Sequence, residues 1–214
     1  MNKELTKTKE KEEKKKGVLR ENIEAIILAV ILAMFIRTFV VQAFKIPSGS
    51  MKETLLVGDH ILVNKFIYGV KIPFTGKTVI SVKKPMRGDI VVFKFPEDPD
   101  KDFIKRVVGV AGDVINIENK KVFINNKPVN FEFAVFKDPR IFPAKLQPRD
   151  NLGTLTVPKN KLFVMGDNRD HSYDSRFWGF VDLEAVKGKA FIVYWSWDKV
   201  KFGVRWNRFG HLLK

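Results

Sequence analysis

Two serines flank a single glycine in Pro47-Ser48-Gly49-Ser50-Met51, and a serine hydroxyl attacks a carbonyl only when a neighbouring base takes its proton. The usual base is histidine, and the chain has three: His60 in a strand-like run, His171 in a polar loop and His211 near the C-terminus. None stands in a triad pattern. A lysine serves instead when burial among apolar groups disfavours its charged form. The run Asp102-Phe103-Ile104-Lys105-Arg106-Val107-Val108-Gly109 offers one, because strand alternation puts Phe103, Lys105 and Val107 on one face, with Lys105 the polar member of an apolar stripe. Most strand lysines point to solvent, and the pattern alone does not separate the two placements. A third stretch, Gly166-Asp167-Asn168-Arg169-Asp170-His171-Ser172-Tyr173-Asp174-Ser175-Arg176, follows the apolar run Leu162-Met165. Such polar density at a strand end suits a hydrogen-bonded loop that orients reacting groups. It equally suits an exposed loop whose ion pairs contribute little. Asp167 and Asp170 lack the repeating ligand spacing of a calcium loop, so no metal and no cofactor is expected.

These residues need a scaffold, and the pattern after Phe44 is that of strands. His60-Phe66, Asp89-Phe95, Phe103-Val110, Val114-Ile117 with Lys121-Ile124 as a hairpin, Leu155-Val157, Leu162-Met165 and Ala190-Trp197 are each rich in Val, Ile or Phe and bounded by turn formers. Phe131 to Gly153 contains Pro139, Pro143 and Pro148 without regular periodicity and reads as a loop-rich excursion. No internal repeat is evident. The expected fold class is mainly β.

Ahead of the strands lies one long apolar segment. Ala25 to Ile36 has no polar interruption, and counted from Ile23 to Ala43 the stretch is 21 residues, about 31 Å as a helix against a hydrocarbon core of roughly 30 Å. Arg37, close to one end, can snorkel toward headgroups. A cleaved secretory signal and a buried soluble helix are the competing readings. The small-x-small triplet Val41-Gln42-Ala43 favours cleavage, whereas the Arg37 charge and the folded-domain character of Phe44-Lys45-Ile46-Pro47 favour a retained anchor. Lys3, Lys7, Lys9, Lys11, Lys14, Lys15, Lys16 and Arg20 then place the N-terminus in the cytoplasm by charge bias. From Ala43 to Ser50 is seven residues, so Ser50 lies within about 25 Å of the helix end.

Length and composition agree with one β domain of moderate size: 214 residues, 45% hydrophobic, net charge +15. Residues 1–20 carry seven Lys and one Arg against four Glu, a net +4, which leaves +11 for the rest, so the basicity is not confined to the tail. That charge is compatible with nucleic acid, an anionic lipid surface or plain solubility. The absence of cysteine excludes thiol catalysis, cysteine-based zinc sites and disulfides.

Taken together, P-S-G-S-M, I-K-R-V-V-G-V-A-G-D and G-D-N-R-D-x-S-x-D-S-R resemble the signature of the bacterial type I signal peptidases, membrane-bound serine proteases. The likeness covers Phe44-Asp59, Gly88-Val92, Phe103-Asp113 and Leu162-Val181. It implies Ser50 as nucleophile, Lys105 as general base, and Ser48 as an oxyanion-hole hydroxyl beside the Ser50 N–H. It also implies Ser172 as the hydroxyl that orients the lysine and Asp174 and Arg176 as a supporting pair. Phe44, Ile46, Pro47, Met51, Leu55, Phe103 and Ile104 stand where the family lines its pockets for small residues, typically Ala, at the first and third positions before the cut. The implied partners are signal peptides of exported preproteins and membrane lipid, with no nucleic acid, a monomeric state and proximity to the secretion translocase. The implied organisation is a basic cytoplasmic tail over 1–21, a single transmembrane helix over 22–43, an extracytoplasmic catalytic domain of antiparallel β-sheets over 44–113 and 159–214, and an inserted β-ribbon cap over 114–158. The enclosing membrane would be the bacterial inner membrane. His171 stands where Asn is common in the family, and one anchor is seen where some members have two.

Two other readings compete. A self-cleaving Ser/Lys regulator requires an N-terminal DNA-binding domain, and the chain has an apolar segment and a short tail there. A membrane-anchored basic binding protein requires a basic face with stacking aromatics and no dependence on Ser50 or Lys105.

Overall fold

A computed structural model describes residues 20–71, 78–80 and 82–213 of the chain. It divides into residues 1–40 and residues 41–214. In the first unit, helix α1 covers residues 20–35, an Arg20–Glu24 ion pair of 2.8 Å spans its first turn, and one π-helical turn, Ile36–Val40, follows. The apolar side chains from Ile23 to Ile36 are exposed. Among the described residues no helix is long and apolar enough to cross a membrane. The basic tail to residue 19 lies outside the described residues.

The helix expected over 22–43 stops short of its anticipated end, because Val41–Lys45 forms strand β1 instead. Its backbone pairs antiparallel with β2 (Asp59–Asn64), in a register from Val41 opposite Asn64 to Lys45 opposite His60. Apolar content extends the helical reading through these residues, but β-branched Val41 sits comfortably in a sheet and the partner strand satisfies the backbone.

The remaining strands are β3 (Val70–Lys71), β4 (Thr78–Ile80), β5 (Ile90–Phe95), β6 (Asp98–Val110), β7 (Val114–Glu118), β8 (Lys121–Ile124), β9 (Lys127–Val129), β10 (Leu152–Thr156), β11 (Lys161–Met165), β12 (Val181–Asp182), β13 (Val186–Asp198), β14 (Gly203–Val204) and β15 (His211–Leu212). Among the described residues the main sheet runs β1-β2-β13-β5-β6-β11-β12, with β14 and β15 added to β13, and its pairs are antiparallel. A second antiparallel sheet, β10-β7-β8-β9, is built from residues 114–156, and β3 and β4 make a small ribbon. The mainly β, antiparallel expectation holds. Strand β6 begins earlier than its apolar pattern suggests, since Asp98 already pairs with Phe95 across a tight turn and the charged residues up to Asp102 extend the hairpin.

Alternation along the strands sorts the core. Ile61 and Val63 of β2 join Ile46, Met51, Leu55, Ile90, Val92 and Val193 on one face of the main sheet. Val91 and Phe93 of β5 pack on the other face with Val107, Val164 and Val181, and Phe103 lies against them. A third cluster joins the second sheet to the first through Val108, Ile115, Ile117, Phe163 and Met165.

Between β1 and β2 the chain leaves the sheet and returns to its starting point. The Ile46 N–H donates to the Asp59 carbonyl at 2.8 Å and the Gly58 N–H to the Ile46 carbonyl at 3.0 Å. Gly58 has φ +93° and its absent Cβ would sit 2.2 Å from the Trp197 carbonyl oxygen, so both backbone shape and space require glycine. Fully buried Met51 and Leu55 plug the loop into the core. Its neck is held by Asp59, also fully buried, which accepts from Arg208 Nε at 3.0 Å, from Arg208 Nη2 at 2.6 Å and from the Ser196 hydroxyl at 2.6 Å. Removing one partner of such a pair strands a buried charge. Arg208→Met is expected to lower stability by about 3 kcal/mol, measured by urea unfolding of the full chain; a loss within about 0.5 kcal/mol, as for an exposed pair, would show that the neck does not depend on it.

Candidate active site

The loop carrying Ser50 is fixed by the polar loop after β11. Asn168 donates its backbone N–H to the Ser50 carbonyl at 3.1 Å and its side-chain Nδ2 to the Gly49 carbonyl at 3.0 Å. The Lys52 N–H closes back on the Gly49 carbonyl at 3.0 Å, and the Thr54 hydroxyl donates to Asp167 at 2.6 Å. The bonds from Asn168 and to Asp167 join residues more than a hundred positions apart in sequence, and they fix the backbone that presents the Ser50 hydroxyl.

Strand β6 brings Lys105 to that hydroxyl. Lys105 lies opposite Val91 in β5, on the face it shares with Phe103 and Val107, and its Nζ is 2.8 Å from Ser50 Oγ. Ser50 is 9% exposed and Lys105 4%. Burial pushes the lysine down to about 8; the carboxylate of Asp174 pulls it back up, the Arg176 guanidinium pushes it further down, and Asp167 opposes that. The Lys105 ammonium position is also 5.3 Å from the Phe103 ring centre. A partly deprotonated amine in hydrogen-bond contact with a hydroxyl has the geometry of a general base and its nucleophile.

The carboxylates around the lysine are each paired with a guanidinium. Arg106, next in β6 and so on the opposite face, grips Asp167 with Nε at 2.9 Å and Nη2 at 2.8 Å, donates Nη1 to the Gly88 carbonyl at 2.7 Å, and stacks 3.5 Å from the Phe133 ring centre. Asp174 accepts from Arg176 Nε at 2.8 Å and Nη2 at 2.9 Å and from the Gly166 N–H at 3.0 Å. Burial acts to raise the Asp174 carboxyl, but the Arg176 charge and these hydrogen bonds prevail and hold it below the ordinary carboxylate range. Arg176 in turn ties the Arg149 and Arg169 carbonyls, each at 2.7 Å, so the pair braces three segments. A short helix α2, Ser175–Trp178, starts at this point with the Asp174 side chain accepting from the Arg176 N–H.

The cleft over the Ser50–Lys105 contact encloses about 390 Å³ and is lined by Ser48, Gly49, Ser50, Phe103, Lys105, Asn168, His171 and Tyr173. Ser48 and Pro47 are exposed on its lip. Of the residues expected to line specificity pockets, Phe103 faces the cleft. Ile46, Met51 and Leu55 are buried in the core cluster, and Phe44 and Ile104 pack against that cluster. The Ser172 residue is buried, and its hydroxyl is directed at the Asp174 carboxylate, which it helps to hold low. Among the described residues no three His, Asp or Glu side chains converge as metal ligands would.

A serine hydroxyl at a buried lysine amine, under an open cleft, meets its decisive comparison in the family described as signal peptidase, peptidase S26, whose pattern matches residues 19–195. The chain belongs to that family. It is 39% identical to signal peptidase I of Pseudomonas fluorescens, over 87% of this chain and 76% of that one, and 36% identical to signal peptidase I of Pseudomonas aeruginosa over the same shares. Signal peptidase I of Aquifex aeolicus is 34% identical over 83% of this chain and 85% of its own. Family membership makes the chain an endopeptidase that removes signal peptides, as the three motifs imply.

Sequence reasoning assigned no role to several residues of this signal peptidase site. Asn168 clamps the nucleophile loop, Tyr173 walls the cleft while its hydroxyl donates to Glu97 at 3.0 Å, and Arg106 with Asp167 forms the buried pair behind the lysine. All but Arg106 belong to the polar loop whose density drew notice, but spacing cannot tell which of its side chains reach back to the serine. Gly166 is the least visible. A Cβ there would lie 2.3 Å from the Ser172 hydroxyl and 2.5 Å from the Ser50 carbonyl oxygen. Gly166→Ala is therefore expected to push the Ser50 backbone away and lower kcat by roughly 100-fold, since about 1 Å of misplacement costs that much. Steady-state kinetics check it; an unchanged kcat would mean that the loop yields freely.

Proposed function

We propose that Ser50 and Lys105 form the catalytic dyad by which this signal peptidase cleaves preproteins through an acyl-enzyme. The 2.8 Å contact between Ser50 Oγ and Lys105 Nζ carries the reading. Neutral Lys105 takes the hydroxyl proton as Ser50 Oγ attacks the scissile carbonyl, and returns it to the leaving amine. Water then attacks the ester carbonyl while giving a proton to Lys105, and Lys105 passes that proton to Ser50 Oγ as the C–Oγ bond breaks and the signal peptide leaves as a carboxylic acid. Ser48 on the cleft lip supplies a hydroxyl to the developing oxyanion together with the Ser50 N–H. Asp174 and Arg176 hold the loop, and Ser172 fills the space beside Gly166 against the serine backbone. Small residues at the first and third positions before the cut suit a cleft whose apolar wall is Phe103, with Ile46, Met51 and Leu55 supporting its floor from the core.

Residues 114–158 act as a cap on the catalytic domain formed by 44–113 and 159–214. The apolar segment beginning at Ile23 anchors the chain in the bacterial inner membrane, with the basic N-terminus in the cytoplasm and the catalytic domain outside, because charge bias favours that sense. In the second unit Val200, Phe202, Trp206 and Phe209 are exposed, Trp206 by 72%, and this apolar edge suits contact with lipid headgroups and acyl chains. Phe202→Glu combined with Trp206→Glu is expected to lower kcat/KM several-fold for a substrate embedded in vesicles and to leave a soluble peptide substrate unaffected; equal losses on both would remove lipid from the explanation.

Ser50→Ala and Lys105→Ala are each expected to lower cleavage of a preprotein bearing Ala-x-Ala by roughly 10³-fold or more, with the far-ultraviolet circular dichroism unchanged. Full activity in either variant sinks the dyad. The sign of the pH dependence follows from the base role: the neutral amine is the active form, so kcat/KM rises with pH through about 8 and falls as Lys105 gains its proton. A profile flat between pH 6 and 10 would assign the proton transfer to another group.

A further inference from the structure

Among the described residues Arg169 has no counterion within ion-pair distance. Its side chain is 2% exposed, and its Nε and Nη2 atoms make no hydrogen bond. The two nearest families of carboxylates are committed elsewhere, Asp167 to Arg106 and Asp174 to Arg176, both through two-pronged contacts. Burial pushes the Arg169 guanidinium down to about 10, which is the electrostatic sign of a cation lacking a partner. The Phe131 ring, centred 5.1 Å from the guanidinium carbon, covers it.

Arg169 borders a hollow of about 430 Å³ where strands β8 and β9 and the segment after them meet the catalytic loop. Its walls are apolar: Val122, Pro128, Val129, Phe131, Ala134 and Phe136. Among the described residues no acidic side chain lines it. Lys120 also borders the hollow, but its ammonium is bound by Asp170 at 2.7 Å and by the Asp138 carbonyl. Exposed Lys121 adds a second positive charge. The unpartnered atoms are the Nε and Nη2 of one guanidinium edge, which is the fork that receives both oxygens of a carboxylate. We propose that this hollow binds a small amphiphilic carboxylate, an acid carried on an aliphatic chain or an aryl ring, with the apolar part against Val122, Val129 and Phe136 and the carboxylate on Arg169. The Phe131 ring turns aside on entry, because both nitrogens are shielded from solvent without that movement. The hollow is separate from the cleft over Ser50, with which it shares no lining residue.

The test uses the full chain in detergent micelles, with 3-phenylpropionate as probe and the uncharged 3-phenylpropanamide as control, both followed by isothermal titration calorimetry. Saturable binding of the acid, at least tenfold tighter than that of the amide, is expected. Arg169→Met and Arg169→Lys should each weaken the acid tenfold or more, the lysine because it keeps charge and loses the fork. Lys121→Glu, an exposed change that spares the fold, should weaken it several-fold, and Ala134→Trp should abolish it by filling the hollow. The proposal is overturned by equal affinities for acid and amide, by absence of saturable binding at millimolar acid, or by a folded Arg169→Met that binds as the parent does. Should Arg169→Met fail to fold, unaltered binding in both Lys121→Glu and Ala134→Trp overturns it as well.

Discussion

A lysine amine must be able to give up its proton near neutral pH beside a serine hydroxyl, and the rest of this architecture answers that demand. Water stabilises an ammonium, so the amine has to be dehydrated, and a strand at the centre of a sheet is a place where both flanks and one face already exclude water. Lys105 occupies such a place, between β5 and β11 and among apolar neighbours. A buried lysine also responds to every charge nearby. The neighbouring ions therefore come as closed pairs, Arg106 with Asp167 and Arg176 with Asp174, whose opposing fields partly cancel at Nζ. Had the carboxylates been left unpaired, they would have held the proton on the lysine.

The serine faces the complementary difficulty, since it stands on a loop and needs the precision of a strand. Three devices supply it. The loop closes on itself at Ile46 and Asp59, Met51 and Leu55 root it in the core, and Asn168 holds its carbonyls from the opposite side. The residues expected to touch substrate at the pockets divide by depth: Phe103 faces the cleft, while Ile46, Met51 and Leu55 are buried in a core cluster.

Sequence patterning revealed the strands, the lysine stripe and the three motifs because these are local signals: period-two alternation, turn formers and residue chemistry at short spacing. It failed where the outcome depends on a partner far along the chain. Val41–Lys45 has the apolarity of the preceding helix, and only pairing with β2 makes it a strand. Gly166 and Asn168 owe their importance to Ser50, which is remote in sequence. Ser172 was expected to orient the lysine by a hydrogen bond; in the structure its hydroxyl is directed at Asp174, a matter of side-chain placement that no motif specifies.

Neighbouring positions in β6 carry two cations of opposite purpose. Lys105 faces the serine and Arg106, on the reverse side, faces Asp167. Because side chains in a strand change sides at every residue, deleting one residue between the β5–β6 turn and Lys105 would turn each to the other's face and seat Arg106 where Lys105 stood. The permanent guanidinium would then meet the nucleophile. No amine able to take its proton would then stand at the Ser50 hydroxyl, and the serine would be inert. The phase of this strand, rather than the identity of its residues alone, is therefore what separates a protease from an inactive sheet of nearly the same composition.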